Sequence, residues 1–367
     1  VRDAYFIGPD GRQYCDFKDN NLHLVGYSLP YRGRMPLAEL KEHLYSLPQQ
    51  PDAIPYVTSY YKERWGFCMT DDQLKKLPEG NYEVVIDSDL YAGHLDVAEA
   101  VLEGRSKQEI LFTSYLCHPS LSNNELSGPL ALVFLYDIIK NIPNRRYTYR
   151  FVLHPETLGS ICYLTERGDH LKNYVTAGYV MTCVGKDSPF TYKCSKRGGT
   201  LADRIASKVL QKEEGATIIP YNPVYSSDER QYCSPGFNLP VGSLMRVPYG
   251  EYAEYHTSLD NKECIRFSAL AGSVEKYAEM ARMLESNVVW ASQVPQCDPC
   301  LGARGLYPTL SVKQDYDPEF QAVFWLLSYV DGEHDLLAIS EISGIEMDVL
   351  IVVSERFAKA GLILSKD

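Results

Sequence analysis

From residue 109 to residue 287 the sequence repeats one pattern: a short apolar run, a polar loop, then apolar residues at helical spacing. Ile110–Cys117 reads as a strand that leads through a polar loop to a helix running from Leu126 to Ile139. Tyr149–His154 is a second strand, with a helix beginning over Leu158–Leu164. Val175–Val184 and Phe237–Met245 are further strands, and Leu201–Gln211 and Phe267–Asn287 further helices. Strands that alternate with helices in this way must be joined by crossovers, so the chain is expected to be α/β, with a mostly parallel sheet covered by helices on both faces. In such sheets chemistry gathers in the loops beyond the carboxyl ends of the strands.

At 367 residues the chain exceeds what one core usually supports, so further units are expected. The segment 46–103 mixes aromatic and β-branched residues with turns and reads as a small β-rich domain inserted into the α/β domain, which would then comprise 1–45 and 104–300. Residues 301–367 read as a linker and three helices, Pro318–Val330, Leu336–Ser343 and Glu346–Ala360, with Gly344 at the turn of a winged-helix-like unit. That shape suggests DNA, but residues 315–367 carry eleven acidic residues against three basic ones. The whole chain has a net charge of −12. Phosphates would repel both, so the helical unit is expected to contact a protein partner or a second copy rather than nucleic acid. No run reaches the roughly 18 apolar residues of a membrane span, and no basic-then-apolar leader opens the sequence. The ten scattered cysteines read as reduced thiols, and Cys297-Asp-Pro-Cys300, lacking a second pair, reads as a loop. These features point to a cytoplasmic protein.

The loops after the strands carry metal-ligating residue types: His118, with Asn124 and Glu125 beyond it; His154 and Glu156; Asp228 and Glu229; and Glu254, His256 and Asp260. Imidazoles and carboxylates suit zinc, which lowers the pKa of a bound water while a nearby carboxylate takes the proton. Each residue also has a structural reading: Glu156 as a helix cap, Asp228 as a turn residue, a histidine as a hydrogen-bonded strand end. Glu251 and Glu254 could hold a substrate's α-amine or fix neighbouring loops. Arg230 could pair with a substrate carboxylate or with Asp228 or Glu229. Tyr225, Tyr249 and Tyr255 could donate to an oxyanion, although most of 28 tyrosines must be packing residues.

Several phrases carry a resemblance. They are Ile54-Pro-Tyr-Val-Thr-Ser-Tyr-Tyr61 with Trp65-Gly-Phe-Cys68, Cys117-His-Pro-Ser120, Leu126-Ser-Gly-Pro129 and Pro155-Glu-Thr157. Ser227-Asp-Glu-Arg-Gln-Tyr-Cys-Ser-Pro-Gly236, Tyr255-His-Thr-Ser-Leu-Asp260 and Arg304-Gly-Leu-Tyr307 continue it. The chain resembles bacterial aminopeptidase-like proteins of the co-catalytic zinc aminopeptidase clan. The resemblance implies that His118 and His256 hold zinc and that Glu156 is the general base; in an alternative register Glu156 is a ligand and Pro155 stands where the base belongs. It also places Asn124, Thr157 and Thr182 where the clan has carboxylates. Two metal ions need those carboxylates to offset their repulsion. One zinc is therefore expected, held by His118, His256 and one of Glu156, Asp228 or Asn124. The activity implied is hydrolysis of an amide bond in a peptide or peptide-like small molecule. Glutaminyl-cyclase-like acyl transfer at one zinc, or a binding protein that has kept only the fold, are the alternatives.

Overall fold

A computed structural model describes residues 1–306 and 317–366. Contacts divide the chain into two units, Val1–Ala278 and Glu279–Asp367.

The first unit is built on a seven-stranded sheet, in the order Thr217–Ile219, Thr191–Lys193, Val241–Met245, Val175–Met181, Glu109–Tyr115, Thr148–His154 and Ala98–Leu102. The four central strands, from Val241–Met245 to Thr148–His154, are parallel. Ala98–Leu102 closes one side antiparallel, and Thr191–Lys193 turns antiparallel on the other. Every residue of Glu109–Tyr115 is buried, so both faces of the sheet are covered. That double coverage is why the central strands read as unbroken apolar runs. The covering helices include Ser127–Lys140, Leu158–Tyr174, Leu201–Leu210 and Phe267–Ser286. Leu201–Leu210 starts at a capping box formed by Thr200 and Asp203.

A second sheet, four-stranded, contains Gln13–Tyr14, Asp3–Ile7, Asn81–Asp87 and Tyr31–Pro36, all antiparallel. Its core gathers Phe6, Phe67, Tyr82 and Val84. The strand pairing distributes the first hundred residues differently from an insertion at 46–103. The β-rich part draws on residues 3–87, whereas Ala98–Leu102 belongs to the main sheet. The reason lies in long-range pairing: Asp3–Ile7 lies along Asn81–Asp87, which no local pattern reveals.

The second unit contains the three expected helices, Pro318–Tyr329, Leu336–Ser343 and Met347–Lys359, with Gly344 in the left-handed conformation at the turn (φ 74°). It also contains a three-stranded sheet of Asp331–Asp335, Val289–Ser292 and Ile363–Ser365. This unit therefore starts ahead of the expected linker at 301. Asp331–Asp335 reads Asp-Gly-Glu-His-Asp and carries no β-forming signal of its own; it is a strand because Val289–Ser292 pairs with it. The expected linker at 301–315 lies mostly outside the described residues. Among the described residues no helix is long and apolar enough to cross a membrane, and all ten cysteines are unpaired thiols.

One close approach ties the first covering helix to the sheet near the carboxyl ends of its parallel strands. Gly128, in the first turn of Ser127–Lys140, is pressed against the sheet: a methyl there would stand 2.2 Å from the carbonyl oxygen of Met181 and 2.4 Å from Ser114 Oγ. Gly128→Ala should force the helix off the strands and cost about 2 kcal/mol of stability, read as a lowered thermal midpoint. An unchanged midpoint would contradict this packing.

Candidate metal centre

The four parallel strands point their carboxyl ends to one edge, where His118, Glu156, Thr182 and His256 follow in separate loops. Each loop contains a non-glycine residue with positive φ: Ser120 (64°), Thr157 (61°), Cys183 (51°) and His256 (56°). A β-branched threonine there is a true outlier, and such strain, costing about 1–3 kcal/mol per residue, persists only where the surroundings enforce it. The strain marks the same edge that sequence and topology single out.

The His118 and His256 rings lie 5.1 Å apart between centroids, and Tyr56 packs 5.3 Å and 5.4 Å from them. The Tyr56 segment is fixed by the His256 loop: Tyr56 N donates to His256 O at 2.8 Å, and Ser258 N to Ile54 O at 2.9 Å. His118 Nδ1 is 2.9 Å from Glu125 Oε2, and the other oxygen of Glu125 accepts the Cys117 N–H. A carboxylate on one ring nitrogen fixes the tautomer and orients the other nitrogen toward a metal. That other nitrogen, Nε2, lies 3.6 Å from Glu156 Oε2. His256 Nε2 and Asn124 Oδ1 are both buried with no hydrogen-bond partner among the described residues. An orphaned imidazole nitrogen beside a second, oriented imidazole is what a bound cation would explain. These residues fit one zinc ion. The donor atoms of Cys117, His118 and Glu125 also lie within 4.8 Å of one another. That grouping would use His118 Nδ1 and Glu125, which are already committed to each other, so the Nε2 side is the better cation site.

The protonation pattern of the metal-free site follows from these contacts. Burial alone would lower the His118 imidazole, but hydrogen bonds to Cys117 and Glu125 and the charge of Glu156 push it up to about 10. His256, buried and facing His118, is pushed down to about 4. Burial raises Glu156 above the usual carboxylate range, against the hydrogen bond from Ser227 and the charge of His118.

Behind Glu156 lies a buried acidic layer. Ser227 Oγ donates to Glu156 Oε1 at 2.5 Å, leaving Oε2 toward His118. Asp228, fully buried, accepts from Thr157 N and from Ser160 Oγ, both at 2.8 Å, and so anchors the strained turn that presents Glu156. Burial and the charge of Glu156 push it up to about 8. Its free oxygen, Oδ2, lies 3.8 Å from His154 Nδ1, not among the zinc-ligand candidates His118 and His256. Glu229 is paired with buried Lys193 and accepts from Tyr249 Oη at 2.6 Å.

The structure thus brings together His118, His256, Glu156 and an unpartnered oxygen of Asn124, and gives Asp228 a supporting position. Of the other candidates only Tyr255 touches the group, through the His256 ring. Glu254 pairs with Lys186 at 2.7 Å, and Glu251 and Arg230 are exposed, Arg230 reaching Pro223 O. Tyr225 is exposed, Tyr249 serves the Glu229 layer, and Tyr255 stacks on His256 at 3.9 Å. Sequence reasoning gave no orienting role to Glu125, none to Tyr56, and none to Lys193. For Glu125 a signal existed, since it stands seven residues beyond the candidate ligand His118, just ahead of the helix expected from Leu126; for Tyr56 and Lys193 there was none.

Residues 9–287 match the model of a family described as a domain of unknown function (DUF4910), and residues 288–365 a winged helix-turn-helix model. A Clostridium acetobutylicum protein, provisionally named a polysaccharide biosynthesis protein with an aminopeptidase-like domain, is 42% identical over 94% of this chain and 79% of its own length. A crystal structure from Clostridium acetobutylicum, provisionally named a peptidase, superposes with a TM-score of 0.91 at 40% identity, covering 100% of this chain and 83% of that one. A zinc aminopeptidase from Bacillus subtilis shares the fold at 12% identity, with a TM-score of 0.55 over 77% of this chain and 82% of its own. The chain accordingly belongs to the DUF4910 family, with the aminopeptidase fold in its first unit and a winged helix in its second.

Proposed function

We propose that the protein is a zinc-dependent hydrolase that cleaves an amide bond of a peptide or peptide-like small molecule. The observation that carries this reading is the orphaned, buried Nε2 of His256 beside the carboxylate-oriented His118, with Glu156 Oε2 3.6 Å from His118 Nε2. His118 and His256 would hold the ion through their Nε2 atoms, with Asn124 Oδ1 as a neutral oxygen donor. Zinc in such a site lowers the pKa of a water and polarises a carbonyl. Glu156 takes the proton from the attacking water and returns it to the departing nitrogen as the C–N bond breaks. Its burial, which raises it above its ordinary value and so favours taking up a proton, suits that exchange, and Ser227 holds it in place. Missing carboxylates at Asn124, Thr157 and Thr182 argue for one ion rather than two. The provisional name of the Clostridium relative raises the case that the amide is carried by a glycan. For the winged-helix unit we keep protein contact ahead of nucleic acid: Met347–Lys359 exposes Asp348 and Glu355, and its Arg356 is paired with Glu319 at 2.7 Å.

Two experiments test the reading. Purified protein loaded with zinc and assayed on a panel of amides should turn over at least one. Glu156→Gln should lower turnover by about a hundredfold or more while keeping zinc, and His256→Ala should lose the metal. Turnover unaffected by Glu156→Gln, or no zinc retained by the wild type, would contradict it. The second concerns pH. In the metal-free protein the His118 ring keeps its proton up to about pH 10, whereas His256 is neutral above about pH 4. A proton and zinc compete for His118 Nε2, so zinc affinity should rise by about tenfold per pH unit from roughly pH 6 to pH 9. A flat profile would show that His118 is not a ligand.

A further inference from the structure

The pocket in front of Glu156 has a volume of about 280 Å³, at the small end for ligand sites. His118 and Glu156 form its reactive end, and Tyr27, Tyr56, Tyr60 and Tyr61 form much of its wall. Tyr27, Tyr60 and Tyr61 are 64%, 60% and 89% exposed, an unusual outlay of aromatic surface around one opening. Their rings form a tilted series, 6.2 Å from Tyr27 to Tyr60 and 6.5 Å from Tyr60 to Tyr61. Tyr27 holds a left-handed backbone conformation (φ 63°), strain that goes with presenting its ring at this mouth.

The charges around the pocket are as informative as the rings. Among the described residues neither lysine nor arginine lines it, so apart from His118 and the ion it would hold, it offers no side-chain cation for a substrate carboxylate or phosphate. Among the described residues Glu156 is the one carboxylate in the lining, and it is engaged by Ser227 and His118. Glu254, the residue best suited by type to hold an α-ammonium, is tied to Lys186. A peptide amino terminus would therefore find here, as counter-charge, only the Glu156 carboxylate that the proton transfer itself needs. A neutral ligand fits better, one with flat C–H faces to stack on aromatic rings and hydroxyls to bond the phenols. A pyranose has both, and a pyranose that also carries a hydrolysable amide is an N-acyl amino sugar.

We propose that the substrate is the N-acyl group of an uncharged amino-sugar residue, stacked against Tyr60 and Tyr61. This rests on the amide-hydrolase reading and narrows its substrate. Water adds to the acyl carbon, the C–N bond breaks, one proton of the water passes through Glu156 to the sugar nitrogen, the new acid gives its remaining proton to the amine, and a carboxylate and the amino sugar as its ammonium leave. No oxidant or second substrate is needed.

The test uses the full chain loaded with zinc, incubated with N-acetylglucosamine, N-acetylgalactosamine, N-acetylmannosamine and the N-acetylglucosamine trimer, and in parallel with leucine p-nitroanilide. Acetate release from at least one sugar is expected, exceeding turnover of the anilide. The Glu156→Gln protein should bind that sugar, and adding Tyr60→Ala and Tyr61→Ala should weaken binding by about tenfold or more, as expected for two lost stacking contacts, with zinc content unchanged. Cleavage of the anilide without acetate release from any sugar would overturn the substrate assignment and leave the hydrolase reading standing. Sugar binding that survives loss of both tyrosines would overturn the stacking role. Absence of zinc and of all amide cleavage would overturn both readings.

Discussion

The site depends on the contact between His118 Nδ1 and Glu125. It decides which imidazole nitrogen is spent inside the protein and which faces the cavity. Glu125 can play this part because the backbone around it is held twice. Its second oxygen takes the Cys117 N–H, and Asp260 accepts from the amides of Ser122, Asn123 and Asn124 just ahead of it. Asp260 belongs to the loop that carries His256, so one buried carboxylate joins the two histidine loops. Tyr252 Oη adds a further bond to Asp260 at 3.0 Å. A site whose ligands come from separate strands needs such cross-links, because each loop alone would find a relaxed conformation and the positive-φ residues would be lost.

The acidic layer behind Glu156 follows the same logic. Asp228 and Glu229 are both fully buried, an expensive arrangement for charged groups. Glu229 offsets the cost with Lys193, Tyr249 and Ser226. Among the described residues Asp228 has no cation in contact, and it relies on two donors and on a carboxyl raised well above its usual range. Polar burial of this kind is retained where it fixes a turn, and here the turn is the one that aims Glu156.

Much of this was legible in the sequence. Apolar runs such as Glu109–Tyr115 advertise a sheet covered on both faces, and the helical periodicity after Leu126 is plain. The motif around Cys117-His118 and Tyr255-His256 marked the two imidazoles, and the gaps in the acidic pattern marked where carboxylates would be expected and are not. What stayed hidden was whatever depends on distant pairing. Asp3–Ile7 finds its partner near residue 84, and Asp331–Asp335 becomes a strand against its own composition. Asp228, a candidate ligand by type and motif, is turned toward Thr157 and Ser160 because that turn needs an acceptor more than the cavity needs another donor. The orienting role of Glu125 and the tyrosine wall likewise emerge only when loops meet in space.

The proposed hydrolysis requires a cation held by two imidazoles on the open side of His118. X-ray absorption at the zinc edge of the loaded protein examines that shell directly. Two imidazoles with the remaining positions filled by oxygen are what the account predicts. A sulfur scatterer at about 2.3 Å would assign the ion to Cys117 and the Nδ1 side instead, and would contradict it.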